Sequence, residues 1–178
     1  MTTTYYVATT LDGFIADEHD SLDWLLSQEQ DEDGALGYDA FLRGIGAIAM
    51  GATTYCWVRD HLAESGESWP YDLPCWVFTH RDLEPVGERI TFTSDPVPTV
   101  HAAMVRAAGD QGVWVVGGGD LAGQHADAGL LDEVVVHVAP VTLGAGRPLL
   151  PRPLDLRLVE HGRNGAFACA RYEVVGRR

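Results

Sequence analysis

The chain has 178 residues, of which 46% are hydrophobic, with twelve basic residues and a formal net charge of −14. That length and apolar content suit one α/β domain spanning 1–178 and exclude a disordered chain. The acidic balance excludes nucleic acid and anionic membrane as partners, and the absence of Lys excludes Schiff-base chemistry and a Walker-A phosphate loop.

Strand and helix signals alternate in chain order, as in an α/β fold. Thr3 to Thr9 reads as a first strand, followed at once by Leu11-Asp12-Gly13-Phe14-Ile15-Ala16. Asp33 to Arg43 reads as a short helix with Leu36, Ala40 and Phe41 on one side. Ala47 to Met50 is a buried strand, and Thr53 to Leu62 a helix that opens on threonine caps after Gly51. Cys75 to Thr79 and Arg89 to Thr93 are further strands, and Val97 to Ala108 a helix with Val100, Met104, Val105 and Ala108 on its apolar side. Val113 to Val116 has the β-branched and aromatic character of a central strand. Leu121 to Ala128 is a helix and Glu133 to Val138 a strand. Leu156 to Glu160 and Ala166 to Val174 flank Arg163-Asn164-Gly165, and Asn-Gly between strands signals a hairpin. The sheet should therefore start parallel and finish antiparallel.

No apolar run approaches the roughly 20 residues that span a bilayer, and no basic segment precedes an apolar one at the start, so a cytoplasmic protein is expected. Cys56, Cys75 and Cys169 form no Cys-x-x-Cys and read as reduced thiols. The histidines show no zinc spacing, so no metal is expected.

Three strand-to-glycine junctions carry the chemistry. The sharpest is Val113-Trp114-Val115-Val116-Gly117-Gly118-Gly119-Asp120-Leu121, where a strand runs through three glycines into a helix. Unpaired N–H groups and the macrodipole make such a start an anion site, although a plain tight turn has the same residues. The spacing is not the Gly-x-Gly-x-x-Gly of a Rossmann fold. Met50-Gly51-Ala52-Thr53-Thr54-Tyr55 is the second junction, and Asp12-Gly13 the third. On neighbouring strands, all three would line one cleft at the sheet's carboxyl edge.

These segments stand in order before Gly129-Leu130-Leu131-Asp132-Glu133 and Ala139-Pro140-Val141-Thr142-Leu143-Gly144-Ala145-Gly146. Together they resemble the dihydrofolate-reductase-like family that includes the C-terminal reductase domain of the bifunctional riboflavin-biosynthesis protein. The resemblance implies a three-layer α/β/α sandwich on a mostly parallel sheet, with NADPH lying across its carboxyl edge. It implies that Gly117, Gly118, Gly119, Asp120 and Leu121 cradle the pyrophosphate. Gly51, Ala52, Thr53 and Thr54 would make a second phosphate-side contact, and Ala8, Asp12 and Ile15 would lie beside the nicotinamide. Thr79, His80 and Arg81 would stand at the adenosine end. There Arg81 either grips a 2′-phosphate or pairs on the surface with Asp82 or Glu84. Asp31, Glu32 and Asp33 lie near the place of a pterin-binding carboxylate, or form a solvated helix start.

Asp12 is the expected catalytic residue, as a polar group near the reacting centre. Trp24, Tyr55 and His137 are candidate substrate contacts. His137 reads either as a satisfied core histidine or as a proton relay, and Trp24, Trp57 and Trp69 either as packing or as walls for a planar substrate. The expected activity is NADPH-dependent hydride transfer to a small heterocyclic, pterin- or aminopyrimidine-like, or carbonyl substrate, in a homodimer. The rival reading is a non-catalytic nucleotide-binding or scaffold member of the same fold.

Overall fold

The computed structural model describes residues 1–31 and 33–178. In chain order the first elements are β1 (Thr3–Thr10), β2 (Phe14–Ala16), α1 (Asp23–Leu26), α2 (Tyr38–Leu42), β3 (Ile45–Gly51) and α3 (Ala52–Ser65). There follow β4 (Cys75–Phe78), β5 (Ile90–Thr93), α4 (Val97–Ala108), β6 (Gly112–Gly117), α5 (Gly119–Asp127) and β7 (Glu133–Ala139). The last are β8 (Arg147–Pro148), β9 (Leu154–Asn164) and β10 (Phe167–Arg177).

Eight strands form one sheet in the order β5-β4-β3-β6-β1-β7-β10-β9. Pairing is parallel from β5 to β7, and β10 then turns antiparallel to both β7 and β9. β2 and β8 make a separate two-stranded patch.

Strand alternation assigns the two faces. Ile48 and Met50 of β3 and Trp114 of β6 share a buried cluster with Tyr55 of α3. Their neighbours Ala47, Ala49 and Val113 pack on the other side against Val100, Met104 and Ala108 of α4. Tyr5, Val115, Val134 and Val136 continue that second face beneath Leu121, Ala122 and Ala126 of α5. Both faces are thus covered, and for that reason β3 is apolar at nearly every position rather than at every other one.

Two local expectations are corrected. The helix expected over 33–43 shrinks to Tyr38–Leu42, because Leu36 takes a positive φ of 55° and the Ala35 N–H donates to Arg163 O instead of to a helical partner. The threonines after Gly51 do not cap α3: its N-cap is Gly51, with no side-chain hydrogen bond. Among the described residues, no helix is long and apolar enough to cross a membrane.

Candidate functional site

β3, β6, β1 and β7 are consecutive in the sheet, so their carboxyl ends come together. A cavity of about 910 Å³ opens along this edge and down the α3-side face of the sheet. Two helices begin on it, α3 directly after Gly51 and α5 directly after Gly118, and neither has a side-chain cap. First-turn N–H groups therefore stand unclaimed by side chains at both starts.

The three glycines of the loop do different work. Gly118 holds a positive φ of 93° that favours glycine. Gly117 leaves room for Thr54, whose Oγ1 would lie 2.7 Å from a Cβ there. A Cβ on Gly119 would collide with the carbonyl oxygens of Pro148 and Leu149. A Cβ on Gly51, by contrast, would meet nothing within 4 Å. Asp120 in the first turn of α5 is drawn away by Arg152, with Nη2 2.8 Å from Oδ1, and by Gln124. The Gln124 and Arg152 hydrogen bonds hold the Asp120 carboxyl below its usual range.

Ala8 and Ile15 also line the cavity, and Ala8 is the register partner of His137. The His137 imidazole lies on the floor at 8% exposure. Its Nδ1 is 3.1 Å from Cys169 Sγ, and its Nε2 has no hydrogen-bond partner. Burial pushes its pKa down and so favours the neutral ring. Tyr6 packs 4.9 Å away, centroid to centroid, and Trp114, Tyr38, Tyr71 and Trp57 complete an aromatic end. At the mouth, Arg147 donates to Asp20 through Nε at 2.6 Å and Nη2 at 3.1 Å, fixing the segment of β8 beside β2.

The structure brings Thr53, Thr54, Arg81, Gly117, Gly118, Gly119 and Asp120 to the same cavity as Ala8, Ile15 and His137. It places other expected residues elsewhere. Asp12 is exposed and does not line the cavity: its carboxylate accepts from Thr10 Oγ1 and from the N–H groups of Leu143 and Gly144. Those donors, Thr10 first, lower its pKa. Tyr55 is fully buried, with its hydroxyl donating to Glu84 O at 2.6 Å and accepting from Val86 N. Trp24 is buried against Ala139, Phe167 and Cys169, and Leu121 belongs to the core under α5. Gly51 and Ala52 supply the start of α3 without lining the cavity, Thr79 Oγ1 accepts from Arg81 N, and His80 is exposed. Asp31 lines the cavity, Asp33 does not, and Glu32 lies outside the described residues.

Sequence reasoning passed over Tyr6, Trp114, Asp39 and Asn164. Strand alternation held a usable signal for two of them, since Tyr6 stands two before Ala8 and Trp114 two before Val116. Asn164 gave a hairpin signal only, yet its Oδ1 accepts from Asp31 N at 2.9 Å and its side chain lines the cavity.

A family model described as the RibD C-terminal domain matches residues 2–167. The chain is 32% identical over 148 residues to the uncharacterized protein YwjB of Bacillus subtilis (strain 168), covering 83% of this chain and 81% of that one. It is 25% identical over 164 residues to the uncharacterized protein YyaP of the same organism, covering 86% and 84%. Its fold is similar to a crystal structure described as a riboflavin biosynthesis protein of Shewanella sp. PV-4, at a TM-score of 0.79 and 24% identity, covering 98% and 99% of the two chains. It is also similar to a diaminohydroxyphosphoribosylaminopyrimidine deaminase/5-amino-6-(5-phosphoribosylamino)uracil reductase of Thermotoga maritima, at a TM-score of 0.65 and 16% identity. That match covers 97% of this chain and 56% of the bifunctional one.

Proposed function

Since this chain belongs to the RibD C-terminal domain family, we propose that it is an NADPH-dependent reductase of a small heterocyclic, pterin- or aminopyrimidine-like, or carbonyl substrate. The observation that carries this reading is the pair of uncapped helix starts, at α3 and α5, opening on one cavity. Two phosphates spaced along a dinucleotide fit two such starts. The residues present fit the group: the Gly51 side is open, Gly118 adopts the glycine conformation, and the Asp120 carboxylate is paired with Arg152.

When bound, the reduced nicotinamide supplies a hydride. The chain's own residues hold and orient. Backbone N–H groups of 118–120 and 52–54 would bind the pyrophosphate, and Arg81 would hold the 2′-phosphate. Ala8 and Ile15 would flank the nicotinamide ring, with the substrate on the floor beside His137. Asp12 acts as a positioning residue in this reading, since it ties the Leu143-Gly144 loop to the turn after β1. Orientation and exclusion of water supply most of the rate.

The reading extends to a cytoplasmic homodimer; three unpaired thiols fit a reducing compartment. The testing experiment is a tryptophan-fluorescence titration of the purified chain with NADPH and NADH. Tighter binding of NADPH supports the reading. No binding of either overturns it and leaves the scaffold reading standing.

A further inference from the structure

The two helix starts on the cavity differ in charge. The first turn of α3 carries no acidic residue, whereas that of α5 carries Asp120, which lines the cavity. A carboxylate there stabilises the helix through the macrodipole. It also places a negative charge where an anion would have to approach.

Arg152 answers that charge from outside the cavity, which it does not line. Asp120, Gly123 and Asp127 share one face of α5, about two turns in length. The Arg152 side chain lies along this face. A Cβ on Gly123 would stand 2.9 Å from its Cγ, so the missing side chain there makes the bed for the Arg152 stem. The guanidinium then donates to both ends of the helix, with Nη2 2.8 Å from Asp120 Oδ1 and Nε 2.8 Å from Asp127 Oδ2. Its remaining nitrogen, Nη1, donates to Pro151 O at 2.8 Å. Pro151 and Pro153 flank it and stiffen the backbone on either side. Asp127 has a second cation in Arg177, whereas Asp120 pairs among the described residues with Arg152 alone.

We propose that Arg152 is a positioning residue that makes the start of α5 able to accept a pyrophosphate, acting through Asp120 by offsetting its charge and turning it aside. Asp120 can then stabilise the helix without repelling the ligand. The contact with Asp127 serves only to hold the side chain along α5.

The inference rests on the reading of the cavity as a cofactor site, and its test separates the two. NADPH and inorganic pyrophosphate are each titrated calorimetrically into the intact protein at low ionic strength. Arg152→Met keeps an unbranched stem over Gly123 and removes the charge. It should weaken both ligands about tenfold, and about 0.5 M salt should shrink that loss. Adding Asp120→Asn to this variant should restore both affinities to within about twofold of wild type. Asp120→Asn alone, at a side chain 67% exposed and so harmless to folding, should tighten both ligands about threefold. Asp127→Asn should stay within about twofold of wild type. Wild-type affinity in Arg152→Met, a loss that Asp120→Asn does not restore, weaker binding in Asp120→Asn alone, or an equal loss in Asp127→Asn overturns the inference and leaves NADPH binding by the wild type standing. Pyrophosphate affinities that follow this pattern while the wild type ignores NADPH overturn the reductase reading and keep the inference. Binding of neither ligand overturns both.

Discussion

His137 and Cys169 face one another across the antiparallel β7–β10 pair, with Nδ1 and Sγ 3.1 Å apart. Their contact engages one imidazole nitrogen, and the other, Nε2, is buried. Cys169→Ala removes the partner of a buried ring nitrogen and should cost about 1–3 kcal/mol in urea unfolding, with Cys169→Ser losing less. The same burial makes the thiol inert. It pushes the pKa of Cys169 up to about 11 and that of Cys75 up to about 12. Cys56 is only half-buried. Iodoacetamide at about pH 8 should therefore label Cys56 alone in the folded protein and all three thiols in urea. Folded-state labelling of Cys169, read by mass spectrometry, would contradict the pairing.

His125 is fully buried in α5, with Nδ1 2.9 Å from Leu121 O and Nε2 unpartnered. Burial lowers its pKa from 6.5 to about 4. Between those two values the unfolded chain binds more protons than the folded one, so stability falls as pH falls through that window and levels off below it. The loss is on the order of 3 kcal/mol. His125→Leu should flatten this limb of the urea midpoint against pH. An unchanged slope would show that His125 is protonated in the fold.

The glycines should separate cofactor binding from packing. Gly119→Ala drives a methyl into the backbone of 148–149 and should lower the melting temperature markedly. Gly51→Ala meets open space at φ −81° and should keep wild-type stability. Gly118→Val should lose NADPH binding with the fold retained by circular dichroism, at a strain cost of about 1–3 kcal/mol. Unchanged NADPH affinity in Gly118→Val removes this loop from the cofactor site.

Arg81→Ala should weaken NADPH roughly ten- to a hundred-fold and leave NADH nearly untouched, because one charge-assisted contact to the 2′-phosphate is lost. Raised salt should narrow the wild-type preference, since Arg81 is exposed. Equal weakening of both cofactors makes Arg81 a structural residue.

We propose that a second copy covers the outer strands. β9 forms an edge of the sheet, and Leu156, Leu158, Val159 and Val175 are exposed on it and its neighbour. Light scattering at micromolar concentration should give the dimer mass, and Leu158→Glu should shift it to the monomer. A monomer mass for the wild type rules this interface out.

The centre of the sheet was legible because β3, β6 and β7 are six or seven residues long and mostly apolar. The run around Val113 and the helix Val97–Ala108 announce themselves by composition and period. β2, α1 and β8 span three, four and two residues and are too short to carry a period. The glycine loop was legible because Gly118 holds a positive φ and Gly119 passes close to the backbone of 148–149. The aromatic end was not. Its aromatic residues come from five separate stretches, and nothing local distinguishes Tyr71, which lines the cavity, from Tyr55, which is sealed beneath α3. Asp12 was expected as a polar group near the reacting centre, but its carboxylate is held by backbone donors 131 and 132 residues away.

The hydrogen bond from Asp31 N to Asn164 Oδ1 joins positions 133 apart in the chain. Ala166 N adds a bond to Glu29 O in the same place. During synthesis, a nascent chain that has just completed α5 already holds both helix starts of the phosphate cradle, whereas this wall waits for the final hairpin. Such a contact belongs to the slow, high-contact-order part of folding. Since the start of α5 also packs on the backbone of 148–149, a chain cut before the final hairpin should lose the Asn164 wall, and one cut before 148 the support of the cradle as well.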